Sequence, residues 1–164
     1  MTVGLTSCNP FNNKLDINNA TLFIKKITDF DSLKTLSYSE REIGINDYRT
    51  STDLKYIHQE DSIGFIKIYH TDSIIQKLKF DKIKFYELLK LFKETNSYNF
   101  DRNDSIYYFI CNSFLDDSNG MIFSKSKLRK WTGDNLEDRI ILNEHYVDSW
   151  TEYKDNWYNA TGGN

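Results

Sequence analysis

The chain reads as an α+β domain with a mainly antiparallel sheet and one dominant amphipathic helix packed on one face. Three observations predict this. Short segments rich in β-branched and aromatic residues, each bounded by turn residues, occur on both sides of the chain's middle. Between them Phe85, Leu88, Leu89 and Phe92 fall at the i, i+3, i+4, i+7 spacing of a helix that buries one side. No strand–helix–strand alternation recurs, so nothing argues for a parallel sheet.

In chain order, residues 1–19 read as a tail and residues 20–164 as a single globular domain. Thr21 to Ile27 reads as a first strand, because Thr, Phe and Ile dominate it. Asp31 to Tyr38 suits a short helix, and polar Glu40 to Asp53, with Gly44, reads as a loop. Three triplets then share one form: Asp61-Ser62-Ile63, Asp72-Ser73-Ile74 and Asp104-Ser105-Ile106. Asp and Ser side chains bond nearby backbone and favour turns. Strands are therefore expected over Gly64–Tyr69, Ile75–Phe80 and Tyr107–Cys111. The main helix follows, with Asp81 as its N-cap and Phe80 and Phe85 at the positions of a hydrophobic staple. Lys90 and Lys93 suit its last turn, and Asn96 is a plausible stop. Asn119-Gly120 supplies a hairpin turn. A short helix is expected from Ser126 to Trp131, a late strand over Arg139–Leu142, and an aromatic tail from Tyr146 to Tyr158.

The chain has 164 residues, enough for one domain with a real core. Eleven Tyr, eleven Phe and three Trp make that core one of rings. The net charge of −3 argues against general nucleic-acid binding, which leaves a basic footprint. The charge is uneven. Gln76 to Lys93 carries six Lys against Asp81 and Glu87, while Asp134 to Asn164 carries seven acids against Arg139 and Lys154. No apolar run approaches the ~18 residues of a membrane span.

Residues with chemical potential are few. No Gly-rich phosphate loop, nucleophile elbow or His-Glu-x-x-His is present. His70 and Asp72 could form a metal or acid–base pair, but a loop His beside a turn Asp is the simpler reading. Cys111 sits among Tyr and Phe and reads as a small buried hydrophobe. Asp116 to Gly120 departs from the alternate-acid spacing of a calcium loop. No cofactor and no metal is expected, and no enzyme.

Leu5-Thr6-Ser7-Cys8, followed by polar Asn9-Pro10 and Asn12-Asn13, resembles a bacterial lipobox. The resemblance implies acylation of Cys8 and a periplasmic or outer-membrane-anchored lipoprotein. Only seven residues precede Cys8, fewer than a secretory signal holds. The reading therefore takes the signal as trimmed; a cytoplasmic protein with a free Cys8 is the alternative. Asp-Ser-aliphatic triplets also resemble the O-glycosylation sites of exported proteins in one group of Gram-negative bacteria, which makes Ser32, Ser62, Ser73 and Ser105 candidates.

A small, acidic, tethered domain without catalytic residues is expected to bind a protein. An immunity or inhibitor protein against a toxin or lytic enzyme heads the expectations. An accessory or structural envelope lipoprotein, glycan-binding ones included, and a cytoplasmic antitoxin are the alternatives. The expected contact surface is the acidic aromatic segment: Glu144, Tyr146, Asp148, Trp150, Glu152, Tyr153, Trp157 and Tyr158; the alternative is that its rings finish the core by packing on the sheet. Trp and Tyr combine apolar area with a polar handle, and acids steer a basic partner.

Overall fold

The computed structural model describes residues 14–57, 67–114, 117–129 and 139–163. It is α+β. Among these residues three α-helices accompany one ten-stranded sheet, antiparallel at every pairing except that of its third and fourth strands.

The first element corrects an expectation. Ile17–Ile27 is a helix, α1, not a strand. Asp16 caps it, its carboxylate accepting from Asn19 N–H at 3.0 Å. Ala20, Phe23 and Ile27 are buried, and Ile17 and Ile24 pack beside them. This is helical spacing, visible only when the window opens before Thr21. The expected tail also shortens, because Leu15 is already buried in the core.

The expected helix at Asp31–Tyr38 is instead turn residues followed by strand β1 (Thr35–Tyr38). The expected loop at Glu40–Asp53 is a hairpin of β2 (Ile43–Ile45) and β3 (Tyr48–Ser51). Asn46 turns it with a φ of 50°, and its side chain bonds Lys34 N–H, Thr35 N–H and the Ser32 carbonyl. That one side chain ties the hairpin to the start of β1. Of the strand expected at Gly64–Tyr69, residues 64–66 lie outside the described residues, and β4 is Tyr69–His70.

Ile75–Phe80 is not a strand either. Thr71–Lys77 is helix α2, and Asp72-Ser73 forms its first turn. It ends with Lys79 at φ 58°, where Phe80 N–H reaches the Ile75 carbonyl and Lys79 N–H the Gln76 carbonyl. These are the paired bonds of a Schellman cap. Helix α3, Lys82–Glu94, forms as expected: Asp81 Oδ1 accepts from Lys84 N–H, and Phe80 stacks on Phe85 at 5.8 Å. Asn96 ends it at φ 64°.

One dominant helix is too simple, however. α1 and α3 lie antiparallel, joined by Asp16 N–H to the Thr95 carbonyl at one end and by the Lys26–Glu87 contact toward the other. Both send rings to the sheet. Phe23 meets Phe92, Phe100 and Phe109 at 5.4, 4.9 and 5.7 Å between centroids.

β5 (Asn99–Arg102), β6 (Ile106–Phe114), β7 (Asp117–Ser124), β8 (Ile140–Ile141), β9 (Tyr146–Lys154) and β10 (Trp157–Gly163) complete the sheet, in the order β4-β3-β2-β1-β5-β6-β7-β10-β9-β8. Asn119-Gly120 is not a turn. The chain has already reversed by Asp117, which pairs with Phe114. Gly120 lies inside β7, where a Cβ would stand 1.9 Å from the Phe109 carbonyl oxygen. Close approach, not turn geometry, demands the glycine there. The helix expected at Ser126–Trp131 does not form over Ser126–Arg129, and its last two residues lie outside the described ones.

β6 is buried on both faces. Tyr107, Phe109 and Cys111 point toward the helices; Ile106, Tyr108 and Ile110 point the other way into a second cluster with Ile122, Val147, Tyr158 and Ala160. Leu128, Ile140 and Leu142 pack against that second cluster.

Candidate functional site

The chain brings its acidic aromatic segment together as the β9–β10 hairpin. Strand geometry splits the expected residues between two faces and an edge. Trp157 points into the helix-side core, 4% exposed, with its ring 5.8 Å from Phe109 and 5.4 Å from Phe123. Tyr158 points into the second cluster, 2% exposed, and its hydroxyl accepts from Leu128 N–H at 3.0 Å. Neither can be an exposed anchor, which corrects the expectation for both. Trp150 is half-buried and gives its indole N–H to the Arg129 carbonyl at 2.9 Å. Tyr158 and Trp150 thus pin residues 128–129 over the second cluster.

The remainder faces outward. β8 is two residues long and pairs only with Tyr146 and Val147. From Asp148 to Lys154, β9 has β10 on one side and no strand on the other among the described residues. Thr151, Glu152, Tyr153 and Lys154 are all exposed, Tyr153 by 49%. The charges on this stretch are only loosely held: Glu152 sits 3.6 Å from Lys127 and Lys154 3.6 Å from Asp155, all highly exposed. Such pairs are worth little and release readily. Beside the edge, a shallow depression of about 430 Å³ is lined by Asn119, Ser149, Trp150, Thr151, Asn159 and Thr161. At its rim Thr161 donates to the Asp148 carboxylate at 3.2 Å, and Ser149 also bonds Thr161.

The start of β9 is set by a group that sequence reasoning missed. Asp101, on β5, is fully buried. Its Oδ1 accepts from Asn143 N–H at 3.2 Å and Asn143 Nδ2 at 2.7 Å. Its Oδ2 accepts from Glu144 N–H at 2.8 Å, His145 N–H at 3.1 Å and His145 Nδ1 at 3.2 Å. Burial raises the carboxyl's pKa, but His145, Asn143 and the backbone N–H groups of Glu144 and Asn143 outweigh it, and the net is below the ordinary value. Asp101 is therefore an ionised carboxylate inside the protein, holding the turn that leads into β9.

The His145 tautomer follows from its neighbours. Phe100 N–H donates to Asn99 Oδ1 at 2.8 Å, so the Asn99 amide nitrogen is what approaches His145 Nε2 at 3.3 Å. Nε2 then accepts, and Nδ1 carries the proton shared with Asp101. The pairing resembles half of a hydrolytic triad, yet Nε2 faces an amide donor where a nucleophile would stand. Glu144 belongs to the same turn. Its carboxyl accepts from the buried Thr35 hydroxyl at 3.2 Å, and burial pushes its pKa above the ordinary value despite that bond. Tyr146 carries the Arg139 guanidinium 4.6 Å above its ring.

The other candidates resolve simply. His70 Nδ1 caps α2 by accepting from Asp72 N–H at 3.2 Å, while the Asp72 carboxylate accepts from Lys82 at 2.7 Å and Tyr86 at 2.8 Å. Cys111 is buried, and burial raises its thiol to about 11, far from the value of a nucleophile at neutral pH. No group of three or more His, Cys, Asp and Glu that could hold a metal occurs among the described residues. Ser32, Ser73 and Ser105 are exposed. Cys8 and Ser62 lie outside the described residues, as does Asp116 of the calcium alternative. No helix among the described residues is long and apolar enough to cross a membrane.

No protein-family model, no curated protein and no solved structure matches this chain.

Proposed function

We propose that this chain is a non-catalytic binding protein that holds a protein partner at the β9 edge, in the manner of an immunity or inhibitor protein against a toxin or lytic enzyme. The edge of β9 from Asp148 to Lys154, which has no strand beside it among the described residues and carries exposed Tyr153 and Glu152, supports the reading. An unpaired edge offers a row of backbone donors and acceptors to an extended segment of another chain. Tyr153 supplies the aromatic anchor, and the acids of this region favour a basic partner. Of the eight residues expected at the surface, Asp148, Glu152 and Tyr153 keep that role. Glu144 and Tyr146 lie at the start of β9 and Trp150 is tied to Arg129, and Trp157 and Tyr158 do not belong to the surface.

The resemblance of the N-terminus to a lipobox makes the address part of the proposal: Cys8 acylated, the domain tethered at the envelope. Cys8→Ser should move the native protein from the detergent phase to the soluble fraction.

The partner to test is the product of the neighbouring gene, by titration calorimetry against the purified domain. Tyr153→Ala should weaken binding by on the order of 2 kcal/mol, a hot-spot effect. Glu152→Lys should weaken it further at low salt than at high salt. Wild-type affinity in both variants would defeat the assignment of the edge. An accessory lipoprotein that binds glycan is the second reading, favoured by the amide and hydroxyl lining of the depression beside β9. Asn159→Ala abolishing retention on peptidoglycan, with no effect on a protein partner, would favour it.

A further inference from the structure

A groove at the other end of the sheet carries a different chemistry. It has a volume of about 330 Å³ and runs between the second half of α3 and the turn that joins β1 to β2. That is near the lower end of the roughly 300–1,000 Å³ of small-molecule sites. Three cations line it, Arg41, Lys90 and Lys93, against one carboxylate, Glu40, for a net charge of +2.

Two of the cations rest on ring faces, and none is neutralised by a described carboxylate. Lys93 Nζ lies 3.9 Å above the Tyr38 ring, and the Arg41 guanidinium lies 4.9 Å above the Tyr56 ring. A ring face orients a cation but leaves its charge available to an anion. Among the described residues none of the three cations has a carboxylate within ion-pair distance. The nearby Glu42 is taken by Arg49, 2.8 Å away, and so adds nothing to the groove.

The turn that presents Arg41 is braced. Ser39 N–H bonds the Glu42 carbonyl at 2.9 Å, Glu42 N–H bonds Ser39 Oγ at 3.2 Å, and Ser51 Oγ holds the Arg41 carbonyl at 2.7 Å. The floor is apolar, from buried Leu89 and Ile43 and half-buried Tyr38. A planar Arg fork beside two point charges suits a dianionic phosphoryl group, and the apolar floor suits an organic substituent on it.

We propose that this groove binds a small phosphate monoester, with Arg41 and Lys93 on the phosphoryl oxygens and the organic part against Leu89 and Ile43. Binding is non-covalent and leaves the β9 edge free.

Phenyl phosphate is the probe, titrated into the intact domain by calorimetry and followed by its ³¹P resonance. Saturable binding is expected, weakened about tenfold or more by Arg41→Ala and by Lys93→Ala, each of which removes a charge-assisted contact. Lys25→Ala, on an exposed position of α1, should leave it unchanged. Both test residues are exposed, so circular dichroism should show native folding in each variant. Absence of saturation at millimolar phenyl phosphate would overturn the proposal, as would wild-type affinity in both variants. Inorganic phosphate binding as tightly as phenyl phosphate would overturn the ester assignment, and phthalate binding as tightly would overturn the phosphoryl one.

Discussion

Asp101→Asn tests the buried carboxylate that sets the start of β9. The substitution keeps shape and volume but replaces one acceptor oxygen with an amide NH₂. Five donors now point at the carboxylate, two at Oδ1 and three at Oδ2. An asparagine that keeps its oxygen on the Oδ2 side strands the two Asn143 donors; the opposite flip strands three. The cheaper flip is eased because Asn143 Nδ2 retains the Arg102 carbonyl at 2.7 Å. A buried donor left without an acceptor costs roughly 1–3 kcal/mol, and loss of the charge weakens the bonds that remain. The expected loss is therefore about 2–4 kcal/mol, a large share of a domain's stability. Urea unfolding at pH 7 reads it directly. Hydrogen exchange at the Glu144 and His145 amides should accelerate beyond what the global loss explains. The pH profile gives a second readout. A carboxyl depressed in the folded state contributes stability that is fully present above its unfolded pKa of about 3.9 and is lost as pH falls through the folded value. The wild type should lose stability steeply below about pH 4, and Asp101→Asn should flatten that limb. Glu144 acts with the opposite sign, since its raised pKa makes its charged form a penalty that acid relieves. A stability change under about 1 kcal/mol with an unaltered acid limb would refute the role given to Asp101.

Leu89→Ala removes a buried side chain of α3, 3% exposed, and should cost on the order of 2–5 kcal/mol by denaturant unfolding. Trp157→Ala should cost a similar ~3–5 kcal/mol, because its ring is wedged between Phe109 and Phe123; unchanged stability there would return it to the surface. Cys111, with its thiol at about 11, should resist a thiol reagent at pH 8 until the domain unfolds; rapid native labelling of Cys111 in a Cys8→Ser background would contradict its burial.

How much of this was legible varies by element, and the reason is physical. α3 was readable residue by residue: Asp81 cap, Phe80–Phe85 staple, apolar stripe, Asn96 stop. All of those signals lie within one or two helical turns. α1 was equally readable, but Thr21, Ile24 and Ile27 looked like strand residues until Ile17 and Ala20 restored the helical period. Asp-Ser-Ile was ambiguous in itself. It opens a turn into β6 at Asp104, yet it begins a helix at Asp72, because His70 stands before it as an N-cap. β1 to β3 were hidden for another reason. A polar strand such as Tyr48–Ser51 earns its place through pairing with distant partners, and pairing leaves no local mark.

The sequence by itself determined the class, the aromatic core, the cap and face of α3 and the burial of Cys111. Only the tertiary structure decided which rings of the acidic tail were core. Alternation puts Trp157 and Tyr158 on opposite faces, and both faces are covered, one by α1 and α3 and the other by residues around Leu128. That β9 has no strand beside Tyr153 among the described residues is likewise a matter of sheet order, which no local signal carries. The Asp101–His145 pair joins residues 44 apart in the chain, as Arg41 and Lys93 join two elements across the groove. Such clusters arise where separate strands and helices meet, and no short window of sequence contains them.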